Sequence, residues 1–203
     1  MSRSIAALVV AGMVLGVGEA YAQETTPGPG FVEVTYMPAG AALFTSKDNL
    51  PSFGNYGFGT AVNFNLSRFF SIEGELAAMV ATTSDLQFGD LDSNVKAPNM
   101  LSYTANAIVP LLTGHSVVPY ATGGVGALTM FERPLLNVRG DETFLSGNVG
   151  GGVKWYASNG RWGLRGDYRF LATQSKDDAP IFFGQDTRYA HRVYGAVIIN
   201  TVK

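Results

Sequence analysis

The chain has 203 residues, with 14 Lys and Arg against 16 Asp and Glu, and no cysteine. Disulfides and thiolate metal sites are therefore excluded, and the near-balanced charge leaves no electrostatic footprint for a nucleic acid. Charged residues make up only 15% of the chain, below the roughly one quarter usual in a soluble domain.

The N-terminus reads MSRSIAALVVAGMVLGVGEAYAQ. It begins basic at Arg3, runs apolar from Ile5 to Gly18, and closes on Ala20-Tyr21-Ala22. That layout is a secretory signal peptide over residues 1–22, with a small-residue cleavage site before Gln23. The apolar run is shorter than the roughly 18–20 residues a spanning helix needs. Residues 23–203 then form one domain, entered through the flexible leader QETTPGPG.

Beyond the leader the apolar pattern repeats every two residues, which means strands. Eight are expected. The first, about 31–44, sets Val32, Val34 and Tyr36 against Glu33 and Thr35, and Pro38 calls for a bulge because it cannot donate to a ladder. The second, about 55–66, alternates Tyr56, Phe58, Thr60, Val62, Phe64 and Leu66 with Gly57, Gly59, Ala61, Asn63 and Asn65. The third, 70–81, opposes Phe70, Ile72, Leu76 and Val80 to Ser71, Glu73, Glu75 and Met79. The fourth, about 100–110, opposes Leu101, Tyr103 and Val109 to Ser102, Thr104 and Asn106. The fifth, 118–131, has no decisive facing. The sixth, 144–156, sets Val149, Val153 and Trp155 against Ser146, Asn148, Gly150, Gly152 and Lys154. The seventh, 161–171, sets Trp162, Leu164, Tyr168 and Phe170 against Arg165, Asp167 and Arg169. The eighth, 189–201, again shows no decisive facing.

Short connections (67–69, 111–117 and the Ala157-Ser158-Asn159-Gly160 hairpin turn) alternate with long ones at about 45–54, 82–99, 132–143 and 172–188. All long loops therefore gather at one end, and both termini at the other.

Period alone does not say which face is buried. One face of these strands is bulky and apolar. The other is small and mostly uncharged, unlike a solvated surface. An eight-stranded barrel has room inside for side chains or one small ligand, not for so many large apolar groups. Aromatics also collect near the short turns: Phe69, Phe70, Trp155, Tyr156 and Trp162 read as a girdle at a lipid–water interface. The apolar face should meet lipid. Hydrocarbon offers the backbone no partners, so the strands must close on themselves. The expected fold is all-β: an eight-stranded antiparallel up-and-down transmembrane β-barrel.

The segments VPYATGGVGAL, GNVGGGVKWY, GLRGDYRF and HRVYGAV resemble the small eight-stranded outer-membrane barrels, the porin-like outer-membrane β-barrel domain family of the OmpA and OmpX types. The resemblance spans roughly residues 23–203. It implies a bacterial outer-membrane location, contact with outer-membrane lipid and lipopolysaccharide, and delivery by the barrel-assembly machinery. It also implies a non-enzymatic structural or surface-interaction role, with a surface ligand or host partner reached through the long loops. Family members often end on an aromatic; this chain ends INTVK. The rival readings are a narrow porin-like channel for ions or small solutes and a secreted lipocalin-type ligand-binding barrel.

Glu73, Glu75, Lys154, Arg165, Asp167 and Arg169 share the inward face. Buried charges must be paired, so a mixed-sign network plugging the lumen is expected. Of the two histidines, His115 lies in a short turn, and His191 is followed by Arg192-Val193 with no serine nearby in sequence to suggest a hydrolytic triad; two histidines without cysteine do not make a zinc site. Asp90-Leu91-Asp92-Ser93-Asn94 starts like a calcium loop but has Val95 and Leu101 where Gly and Glu belong. Gly123-Gly124-Val125-Gly126 and Gly150-Gly151-Gly152 lead into no helix and so do not read as phosphate loops. No catalytic residue, metal or cofactor is expected.

Overall fold

The two-residue alternation becomes ten strands in a computed structural model that describes residues 29–46, 50–82, 86–88, 91–93, 96–136, 138–176, 179–180 and 182–202. They are β1 (Val32–Phe44), β2 (Phe53–Ser67), β3 (Phe70–Ala81), β4 (Leu86–Phe88), β5 (Leu91–Ser93), β6 (Met100–Pro110), β7 (Val117–Met130), β8 (Glu142–Tyr156), β9 (Trp162–Thr173) and β10 (Arg188–Val202). Eight of them close into a barrel in the order β1-β10-β9-β8-β7-β6-β3-β2. Neighbours run antiparallel throughout. Closure leaves no edge strand, which satisfies the backbone of a chain surrounded by hydrocarbon. The signal-peptide segment lies outside the described residues.

The eight barrel strands fall where the alternation places them, within two residues or so at each end. Two elements are new. β4 and β5 form a separate two-stranded arm within the 82–99 connection. A 3-10 turn, Pro134–Leu136, sits in the β7–β8 connection. Asp92 belongs to β5, opposite Gln87, so the middle of the acidic stretch is a strand. Asp90 and Asn94 lie outside the described residues.

Pro38 interrupts β1 as expected. Register slips between Tyr36 and Ala39 against β10, and between Met37 and Gly40 against β2. The extra residue inverts the phase of the strand. Glu33, Thr35 and Met37 point inward before the bulge, and Ala42 and Phe44 after it. β7 and β10 also resolve. Val118, Tyr120, Thr122, Leu128 and Met130 face in from β7, and Arg188, Ala190, Arg192, Tyr194, Ala196 and Ile198 from β10.

The large apolar side chains of the other face are exposed: Tyr36, Phe58, Ile72, Val125, Val149 and Leu164 among them. A lipocalin-type barrel would bury that face around a ligand. Here the lumen holds charges instead, so the secreted reading fails.

The interior is layered. At the turn end, Val118, Tyr156 and Ile198 pack together. The middle is ionic. At the long-loop end lies an apolar cap that sequence patterning did not reveal, built from strand ends such as Phe44, Phe53, Met100 and Phe144. The last long loop adds Phe182 and Phe183 to it. Phe183 stacks on Phe144 with centroids 4.6 Å apart, and Phe44 stacks on Phe53 at 4.5 Å. Aromatic pairs add to the burial energy itself.

Phe183 is fully buried, so Phe183→Ala should cost about 3–5 kcal/mol of folding stability. Urea titration of the barrel in lipid vesicles checks this; a change near zero would mean the cap does not hold the mouth shut.

Candidate functional site: the charged lumen

Strand phase alone delivers charge to the lumen. β3 places Glu73 and Glu75 two residues apart on its inner face, and β9 places Arg165, Asp167 and Arg169 likewise. In the eight-membered ring, β3 and β9 stand on opposite walls. Their side chains therefore meet across the lumen rather than along one wall.

Glu73 receives most of them. Its Oε2 accepts a short hydrogen bond from Arg165 Nη1, and its Oε1 accepts from Arg169 Nη2 at 2.9 Å and from Asn106 Nδ2 at 3.3 Å. Asp167 bridges the two arginines on its own strand: Arg165 Nη2 donates to Oδ2 at 2.9 Å and Arg169 Nε to Oδ1 at 3.0 Å. The Tyr120 hydroxyl donates to Asp167 and accepts from Arg165 Nε at 2.7 Å. Glu75 is held differently. Arg169 Nη1 and Arg192 Nη2 approach its two oxygens at 3.2 and 2.6 Å as ion pairs, without the alignment of a hydrogen bond. The Tyr194 ring lies under three guanidinium groups, those of Arg165, Arg169 and Arg192, at 5.5, 5.9 and 5.3 Å. Cation–π attraction supplements the ion pairs where water is excluded.

Five of the six expected lumen charges thus converge. Lys154 does not join them. It pairs with Glu33 one layer nearer the turn end, Nζ to Oε2 at 2.5 Å, where Tyr156 also donates to Glu33 Oε1 at 2.5 Å and Asn63 Nδ2 to Oε2 at 3.1 Å. Glu33 and Arg192 complete the charge balance and were absent from the expected set. Glu33 already alternated against Val32 and Val34. Arg192 was hidden because both faces of β10 carry aromatic and apolar residues.

Tyr156 corrects the expected girdle. It is 1% exposed and points inward, whereas Trp155 is 39% exposed. Adjacent residues of a strand take opposite faces, so Trp155 and Tyr156 cannot both meet lipid. Phe69, in the turn, and Phe70, Trp155 and Trp162 are outward and exposed. Trp155 and Trp162 meet edge to face at 5.4 Å.

The glycine runs make room for this network. A Cβ on Gly152 would lie 2.5 Å from the Tyr120 hydroxyl, and one on Gly124 would lie 2.1 Å from Asn106 Oδ1. Bare backbone at these points lets the polar side chain at the paired position of the neighbouring strand lie across it.

The remaining polar candidates stand apart. His191 faces outward near the long-loop end, with Nδ1 2.8 Å from the Tyr168 hydroxyl and Phe170 edge-on beside it. His115 lies in the β6–β7 turn at the other end, so the two histidines do not converge. Among the described residues no three His, Asp or Glu side chains gather as metal ligands.

The geometry defines a closed, lipid-embedded barrel with a filled, charge-compensated lumen. By sequence the chain matches the outer membrane protein beta-barrel domain over residues 6–192 and belongs to that family. It is accordingly a bacterial outer-membrane protein. No individually curated protein matches it in sequence. Its fold is similar to that of Neisserial surface protein A (NspA), with 17% identity, a TM-score of 0.56, and 83% of this chain and 96% of that one covered. It is also similar to the outer membrane protein OprG from Pseudomonas aeruginosa, with 14% identity, a TM-score of 0.50, and 86% and 98% covered.

Removing one partner from a buried ion network leaves uncompensated charge. Arg165→Ala should therefore destabilise the barrel by about 3–5 kcal/mol, read as a lower urea midpoint for refolding into vesicles. Unchanged stability would show that Glu73 and Asp167 do not depend on Arg165.

Proposed function

We propose that this protein is a closed, non-enzymatic barrel whose lumen is a structural plug and whose external loops carry its interactions. One observation supports the reading above the rest. Arg165, Arg169, Glu73 and Asp167 are buried where they cross the full width of the lumen, and an apolar cap lies directly above them. An ion entering this lumen would have to break several charge-assisted hydrogen bonds, each worth about 1.5–3 kcal/mol. A conducting pore instead needs binding weak enough to release the ion again.

The barrel's contribution to the membrane is then mechanical. Its outward aromatics sit at the interface, and its outer rim meets lipopolysaccharide. Outer-membrane barrels keep short turns on the periplasmic side and longer loops outside. The connections at 45–52, 82–99, 131–141 and 174–187 are therefore the surface offered to the exterior. Insertion by the barrel-assembly machinery belongs to the same reading.

Single-channel recording in planar bilayers tests it. Protein shown to be folded by its different gel mobility before and after boiling should produce no regular conductance steps. Reproducible steps from the wild-type chain would replace the plug with the rival reading, a narrow channel.

A further inference from the structure

The β7–β8 connection carries an arrangement that neither the barrel nor its plug uses. Its first part is pinned. Arg133 and Val138 form an antiparallel bridge, with Arg133 N–H donating to Val138 O at 3.0 Å and Val138 N–H to Arg133 O at 3.2 Å. Leu136 and Val138 are buried in the apolar cap. β8 then begins at Glu142. Between these two anchors the chain presents Arg139-Gly140-Asp141. Arg139 and Asp141 are exposed, and Gly140 bends the backbone with φ +97°, in the left-handed region that favours glycine. No ion pair or hydrogen bond engages the Arg139 side chain among the described residues. Asp141, an exposed residue, accepts one hydrogen bond through Oδ1, from Glu132 N–H at 3.0 Å, which holds the carboxylate at the surface.

We propose that this turn is a docking site for a receptor that reads a guanidinium and a carboxylate on either side of a glycine, that is, a metal-dependent adhesion receptor of the integrin class. The chemistry of each part fits. A carboxylate oxygen is a hard ligand suited to a divalent cation held by the partner. A free guanidinium offers a planar fork to an acidic pocket. The glycine carries no side chain to hold the receptor surface away. Anchoring on both flanks restricts the free conformations of the turn, so less ordering remains to be done on binding.

The tripeptide alone is not the argument. The chain contains it twice. Arg165-Gly166-Asp167 lies within β9, with both charges buried and consumed by Glu73, Tyr120 and each other. Only the copy in the loop is bent, anchored and accessible.

The inference rests on the reading that the loops carry the interactions, and its test is independent of conductance. Full-length protein in lipid nanodiscs is passed over a panel of purified integrin ectodomains that read Arg-Gly-Asp, in buffer containing Mg2+ and Mn2+. Binding is expected. It should vanish on chelation with EDTA and be competed by a soluble Arg-Gly-Asp peptide but not by its Arg-Gly-Glu counterpart. Asp141→Glu keeps the charge and should weaken binding by about thirtyfold or more, the effect of losing a hot-spot contact. Arg139→Gln alters a residue outside the barrel's own bonding and should also weaken it, and gel mobility before and after boiling confirms that both variants are folded. No binding to any receptor of the panel overturns the proposal, as does binding that survives EDTA or both substitutions.

Discussion

Charge that is cut off from water must find charge of the opposite sign, and the rest of this barrel is arranged around that requirement. Among the described residues, four inward carboxylates (Glu33, Glu73, Glu75 and Asp167) meet four inward cations (Lys154, Arg165, Arg169 and Arg192) in ion pairs. Desolvating any one of them costs several kcal/mol, recovered only when geometry and hydrogen bonding are both good. The strongest links run from β9 to β3, on opposite walls. They hold the register of both strands, because a one-residue slip of either would turn its own charges toward lipid. Arg188, the ninth buried charge, stands apart in the apolar cap, where Nη2 donates to Pro51 O at 2.8 Å and the guanidinium lies near the rings of Phe53 and Phe183.

The outer wall follows from the same division. Once the polar residues are inside, the alternate positions must be apolar, and lipid accepts them. Backbone groups have no water to turn to within the membrane, so closure is compulsory. The lumen then becomes crowded. Large residues such as Tyr120 and Arg169 need gaps on the strand beside them, and Gly152 and Gly150 of β8 supply these, as Gly40 of β1 does for Tyr194. The unusual composition, rich in glycine and poor in charge, is the record of a narrow barrel whose strands carry their charges almost entirely on the inner face.

Much of this was legible in the sequence because strand periodicity is local. β2, β3, β6, β8 and β9 each separate apolar from polar residues cleanly, and their facing and most of the lumen charges follow from that alone. The remainder depends on information that periodicity does not carry. In β7 both faces are largely apolar and uncharged, and in β10 both carry aromatic residues, so neither declares an inside. Arg192 and Tyr194 were therefore invisible as partners of Glu75 and the arginines. Tyr156 was read by its neighbourhood beside Trp155, when alternation already required it to face inward. The apolar cap is the clearest omission. Phe182 and Phe183 come from the connection between β9 and β10, and no periodic pattern in its sequence shows that these two rings enter the mouth. The separation of Lys154 from the main network is a matter of height along the barrel, which depends on the register between strands.

A double-mutant cycle on Glu73→Gln and Arg165→Met, followed by urea unfolding in vesicles, tests most directly whether the charges that cross the lumen act as one unit. The account predicts a coupling energy of about 1 kcal/mol or more between the two positions, with the double variant more stable than the two single losses together imply. Losses that simply add, within about 0.5 kcal/mol, would contradict it and leave the barrel held by its backbone and its apolar layers alone.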